Sequence, residues 1–165
     1  MSAERGGDRT EESRASAAMR EHGPAVARVC MALLGDAAAA ERALERIARD
    51  AATATFEEGK SALPKLMGLA RSACANQLSK LPIRHTAAWS DDPKPATTRD
   101  GAREATLARA SLVKLKPTER EAIVLHLVGG LDAAQVAEAC GIDVDAARQR
   151  IARGVGQLVE QEKKR

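Results

Sequence analysis

Aromatic side chains are almost missing from this chain. Its 165 residues hold one Phe (Phe56), one Trp (Trp89) and no Tyr. That shortage excludes a core built on large rings, and it leaves few platforms on which unpaired bases could stack. Cysteine is sparse too: Cys30, Cys74 and Cys140. The number is odd and the spacing wide, so neither a disulfide framework nor a zinc site is expected. Each falls on an apolar helix face, where a reduced thiol behaves as a small hydrophobe. No apolar run is long enough to span a membrane. The opening MSAERGGDRTEESRAS is charged and has no apolar signal core, which leads to the expectation of a cytoplasmic protein. No segment alternates as a strand would. A phosphate-cradling glycine loop, HExxH and GxSxG are all missing, and no nucleophile stands with a base. An enzyme is not expected, nor a cofactor, a metal or a small-molecule substrate. Charge of one sign is also scarce: 26 Lys and Arg against 23 Asp and Glu, net +3, which does not by itself argue for nucleic acid.

What remains is 44% hydrophobic and rich in Ala, so an all-α fold is expected, with two small helical domains joined by a flexible linker. Residues 1–16 read as a polar, disordered tail. A first domain spans 17–81. Its first helix restarts after Pro24, with Val26, Val29, Cys30, Leu33 and Leu34 on one face. Gly35 stops that helix and Asp36 caps the next, over 37–54, where Ala40, Leu44, Ile47 and Ala51 face inward. Its charges Glu41, Arg42, Glu45, Arg46, Arg49 and Asp50 point out, as a solvated face would. A loop over 56–61 leads to a helix over 62–80, with Pro64 in its first turn. Residues 82–101, with three prolines, read as a linker, in which Trp89 is the one large apolar side chain.

A second domain, 102–165, opens with a helix to Lys114 capped by Asp100. Pro117 breaks it. Thr118 and Glu121 have capping-box spacing, so a helix starts there and runs to Val128, with Ile123, Val124, Leu127 and Val128 inward. His126 lies on that helix and reads as a satisfied histidine rather than a catalyst. Then comes LDAAQVAEACGIDVDAARQRIARGVGQL, residues 131–158. Asp132 and Gln135 form a second capping box. Gly141 suits a left-handed stop, and Asp143 caps a further helix with Asp145 in its first turn. Ala147, Ile151, Val155 and Leu158 make its buried stripe, with Gly154 and Gly156 as close-packing positions. Arg148, Gln149, Arg150 and Arg153 point outward. This is the layout of a helix-turn-helix, whose second helix enters the major groove. Arg and Gln are side chains that make bidentate contacts to guanine and adenine edges. From 144 to 165 there are six basic residues and three acidic ones, so the chain's small positive excess sits here. A plain helical hairpin with solvated arginines has the same period.

The segment KLKPTEREAIVLHLVGGLDAAQVAEACGIDVDAARQRIARGVGQL (114–158) resembles region four of bacterial RNA polymerase sigma factors of the extracytoplasmic-function (ECF) branch. The run Leu115-x-Pro117-x-Glu119-Arg120-Glu121, Gly130-Leu131, Ala137-Glu138, Gly141-Ile142 and Arg148 to Arg150 carry the likeness. REHGPAVARVCMALLGDAAAAERALERI (20–47) and MGLARSACANQL (67–78) resemble the start and end of region two, in the same order. The resemblance implies that Arg148, Gln149, Arg150 and Arg153 face minus-thirty-five promoter DNA. It implies that Glu41, Glu45, Arg46 and Arg49 meet the polymerase core, and that the helix at 62–80 meets the melted minus-ten strand. An anti-sigma factor is a further partner compatible with it; no membrane partner is implied. The first domain departs from the family in its aromatics, with Lys65 and Ala52 near positions where Trp is usual and Met67 where a ring is common. Two alternatives stay open: a sigma-like regulator that binds DNA or protein without melting promoters, and a helical adaptor with no DNA contact.

Overall fold

A computed structural model describes residues 4–80 and 108–164, with side chains from residue 14 onward. The linker and Trp89 lie outside the described residues. All regular structure that is described is helical.

Helix α1 runs Glu4–Leu34 without interruption through Pro24. A restart after that proline was expected. Pro24 removes one N–H donor, and the turns on either side continue. The residues read as a tail are therefore partly helical, from Glu4. Ala15 and Ala18 are buried, which gives this end of the helix an apolar anchor. Gly35 takes φ +67°, and its N–H closes on the Met31 carbonyl at 2.9 Å. Asp36 is extended and accepts from Ala39 N at 2.6 Å, starting α2, Ala37–Ala52. Ala39, Ala40, Ala43, Ile47 and Ala51 are its buried stripe. Helix α3, Leu63–Leu78, opens with Pro64 in its first turn and buries Leu66, Met67, Ala70, Ala73, Cys74 and Gln77. With alanine on most facing positions, the three helices pack at close range and need no rings between them. Phe56 is buried at the edge of this bundle, with the Lys65 ammonium 5.8 Å over its ring.

The second half starts with a helical stretch at 108–113. Helix α4 is Pro117–Ile123. Its N-cap is Lys116, Pro117 occupies the first turn, and no side chain caps it. The expected Thr118–Glu121 capping box does not form: the helix begins before Thr118, which leaves that residue inside it. Val124–Val128 then winds as a π turn. Gly129 N–H reaches back five residues to the Val124 carbonyl at 3.0 Å, and Leu131 N–H reaches the Leu125 carbonyl at 3.2 Å. The wider turn rotates its residues about the helix axis. Leu125 goes fully inside, and Leu127, expected inside, is 61% exposed. The His126 Nδ1–H donates to the Leu131 carbonyl at 2.6 Å, so this histidine is satisfied by the turn it sits on. Helices α5, Ala133–Cys140, and α6, Val144–Lys163, complete the chain.

The two halves share one core. Helix α5 packs on α3, and the π turn packs on α1. The buried cluster runs without a break from Val26, Ile47 and Ala70 to Val124, Leu131 and Val136. Gly68 lies where α3 meets α5; a Cβ there would stand 3.4 Å from the Ala139 carbonyl oxygen, an ordinary van der Waals contact. At the edge of the seam, Arg71 Nε lies 2.8 Å from Glu121 Oε1.

Candidate nucleic-acid interface

The turn between α5 and α6 is set by local chemistry. Asp132 Oδ1 accepts from Gln135 N at 2.8 Å, and Gln135 Oε1 accepts from Asp132 N at 3.0 Å. Two orphan donors of the first turn are thereby satisfied by each other's residues. At the far end Gly141 adopts φ +65°, its N–H bonding Glu138 O at 3.2 Å while Ile142 N–H bonds Ala137 O at 3.0 Å. That pair is a Schellman stop. A Cβ on Gly141 would meet nothing within 4 Å, so its backbone angle alone requires glycine. Asp143 Oδ1 then accepts from Ala146 N at 2.8 Å and starts α6.

Helix α6 is clamped to α4 along one side. Ala147 and Gly154 are buried, Ile151 and Leu158 half-buried. Val155, expected in that stripe, is 40% exposed, and Gly154 takes its place. Steps of four, three and four follow a 3.6-residue turn; two successive steps of four drift off the face. Gly154 touches α4 so closely that a Cβ would stand 2.5 Å from Ile123 Cγ1. Gly156, also read as a packing position, is exposed, and a Cβ there would meet nothing. Below Gly154, Gln157 Nε2 donates to the buried Glu119 carboxylate at 2.9 Å, and Gln161 Nε2 donates to Ser111 O at 3.4 Å. These polar anchors were missed in the sequence. Their signal was a Glu and a Gln on inward positions of helices that must face each other.

The opposite side of α6 carries the arginines. Arg148, Gln149 and Arg153 are exposed and Arg150 is half-buried. The Arg148 side chain is 68% exposed, and among the described residues its ion-pair partner is the first-turn Asp145, at 3.4 Å. An exposed pair of this kind is weak and is easily exchanged for a phosphate or a base edge. The face is therefore a convex, cationic helix surface with bidentate donors. In the first half, Glu41, Glu45, Arg46 and Arg49 are all exposed on α2, with Arg46 paired to Asp50 at 3.3 Å. Arg42 Nε, on the same helix, donates to the buried Gln77 at 3.3 Å. The sequence places Arg42 only among the outward charges of this helix, because its partner lies 35 residues away and leaves no local sign.

Capped scaffold helix, left-handed stop and arginine-faced second helix define a helix-turn-helix of the DNA-binding class. Residues 106–158 match the family "Sigma-70, region 4". Among curated proteins no sequence matches. Two solved structures share the fold over nearly the full length. The structure of CnrH in complex with the cytosolic domain of CnrY has a TM-score of 0.72 at 18% identity, covering 95% of this chain and 97% of that one. The sigma factor RpoE in complex with the anti-sigma factor NepR from Bartonella quintana has a TM-score of 0.71 at 20% identity, covering 88% and 94%. Residues 106–158 are thus similar to sigma-70 region 4, and the chain shares the overall fold of these two solved structures.

Proposed function

We propose that this chain is an ECF-type sigma factor that joins the RNA polymerase core and directs it to a set of promoters. The single observation that carries the reading is the exposed arginine face of α6 within the region four segment. Arg148, Gln149, Arg150 and Arg153 contact the minus-thirty-five element in the major groove. The exposed charges Glu41, Glu45, Arg46 and Arg49 of α2 contact the polymerase, and α3 approaches the minus-ten strand. Action is by binding rather than by catalysis, in the cytoplasm; among the described residues no helix is long and apolar enough to cross a membrane. The RpoE neighbour is held by an anti-sigma factor, and the same kind of control is proposed here. The test is run-off transcription with purified core enzyme on genomic promoter fragments. Promoter-dependent transcripts support the reading, and none from any fragment overturns it.

A second reading is favoured by one observation. Base capture by stacking needs an accessible ring. Phe56, the sole aromatic among the described residues, is 6% exposed and lies beneath Lys65. In this reading the chain binds promoter DNA without melting it. Permanganate footprinting separates the two: reactive thymines near the start site support melting.

A further inference from the structure

A cavity of about 440 Å³ opens beside the Arg71–Glu121 ion pair, where α1, α3 and α4 meet. Its floor is apolar and buried: Leu33 is 8% exposed and Cys74 1%. Leu78 and Pro117, both exposed, stand at its rim, and Val113 lines one side. Protein interiors leave few voids larger than a water molecule. An apolar recess with a few polar groups at its edge, in the range of about 300–1,000 Å³, is the form that small-molecule sites take.

The charges on its wall do not balance. Arg71, Arg120 and Glu121 all line it. Glu121 is taken up by Arg71 at 2.8 Å, and these two charges offset each other. Arg120 is half-buried, and among the described residues its guanidinium has neither an ion-pair nor a hydrogen-bond partner. Burial lowers its hold on the proton below that of an ordinary arginine, but an arginine stays charged in a protein. One positive charge is therefore left over, partly stripped of water and unpaired. Such a group is costly until an anion meets it. The guanidinium fork matches a carboxylate with two parallel N–H donors.

These two features select a ligand. The apolar floor needs an apolar body, and a single surplus charge suits a monoanion rather than a dianionic phosphate ester. We propose that this cavity binds an amphipathic monocarboxylate, its carboxylate paired with Arg120 and its aliphatic body laid on Leu33, Cys74 and Leu78. The ligand is held and not transformed. A hydrogen bond with Cys30, together with burial, pushes the Cys74 thiol up, so the one thiol in the wall is uncharged and unreactive. A ligand that binds only the folded chain stabilises it by mass action, so its occupancy is also readable as a rise in Tm. The site stands apart from the sigma reading: no DNA or polymerase contact enters it.

Isothermal titration calorimetry of the full chain with decanoate, decanol and decylammonium, which share one aliphatic body, tests it. Saturable one-to-one binding of decanoate is expected, with the alcohol and the ammonium weaker by about tenfold or more, the span of a charge-assisted pair. Arg120→Gln should weaken decanoate by about the same factor. Arg20→Gln, which removes an exposed cation of α1 outside the cavity, should leave it unchanged. Decanoate should raise the Tm of the wild type and of Arg20→Gln, and raise that of Arg120→Gln far less. Ala75→Leu adds volume at an exposed position of the cavity wall and should weaken decanoate without touching the charge, which keeps the test valid if Arg120→Gln does not fold. Circular dichroism checks helix content in each variant. No saturable binding, equal affinity for the three compounds, or decanoate held as tightly by Arg120→Gln as by the wild type overturns the proposal. Binding that appears only in Trp89→Ser assigns the cavity to the chain's own linker and overturns it as well. Because the titration contains neither promoter nor polymerase, a failure here leaves the sigma reading standing, and a failed transcription assay leaves this site standing.

Discussion

Two glycines of α6, two residues apart, should respond to alanine in opposite directions. Both stand in mid-helix, where Gly costs about 1 kcal/mol relative to Ala. Gly156 is exposed, and a Cβ there meets nothing within 4 Å. Gly156→Ala should therefore stabilise by about 1 kcal/mol, raising Tm by about 2–4 °C for a chain of this size. At Gly154 the same gain is set against a collision. The new Cβ would stand 2.5 Å from Ile123 Cγ1, 3.1 Å from its Cδ1 and 3.4 Å from the Glu119 carbonyl oxygen. Ile123 is 1% exposed and enclosed, so it cannot swing aside without moving neighbours. Overpacking of this kind costs about 1–3 kcal/mol. Propensity cancels between the two variants, so the gap between them measures the packing cost directly: about 1–3 kcal/mol, with Gly154→Ala the less stable. The assay is thermal or urea unfolding followed by circular dichroism at 222 nm. A second measurement fixes the cause. Ile123→Ala removes the colliding atoms, so Gly154→Ala should cost less in that background than in the wild type. If Gly154→Ala melts with Gly156→Ala, or if the Ile123 cycle is additive, the close crossing of α6 and α4 is wrong.

Replacing both Arg148 and Arg150 by Ala should weaken binding to the cognate promoter duplex by about 1–3 kcal/mol for each lost base contact, and each lost phosphate contact should reduce the salt slope by about one, read by fluorescence anisotropy across salt concentrations. Unchanged affinity would favour an adaptor with no DNA contact. Asp132→Ala should cost about 1 kcal/mol in urea unfolding, because it removes the acceptor for Gln135 N–H and breaks the reciprocal cap. None of the three thiols should react with Ellman's reagent at pH 8 in the native chain, and all three should react once it is unfolded, since each is buried. Burial also pushes the Cys140 thiol up. The folded chain then keeps a proton that the unfolded chain releases, so stability should fall as pH climbs past the ordinary thiol value of about 8.5.

Signals that act within one turn were readable in advance. Asp36, Asp132 and Asp143 cap as their spacing to the next helix requires, and Gly35 and Gly141 take the left-handed angle that a helix stop demands. Arg148, Gln149 and Arg153 of α6 were readable for the same reason, because a 3.6-residue period leaves them off the buried stripe, whereas Arg150 flanks that stripe and is half-buried. Other features left no local trace. A π turn uses the same residue types as an α turn, so exchanging Leu127 for Leu125 as the inward residue changes nothing in composition. Pro117, not Thr118, sets the start of α4 because the chain enters from an extended Lys116. The seam was least visible of all. Gly68, Arg71, Glu121 and Ala139 are ordinary one by one, and only the folded chain brings Gly68 to Ala139 and Arg71 to Glu121.

The unbroken cluster of buried side chains running through both halves sets how the molecule comes apart on heating. Where each half kept its own interior, calorimetry would show two peaks. Here the bundle and the helix-turn-helix lend each other a wall, so a single peak is expected, and a chain severed by protease between the halves should still migrate as one particle until denaturant is added.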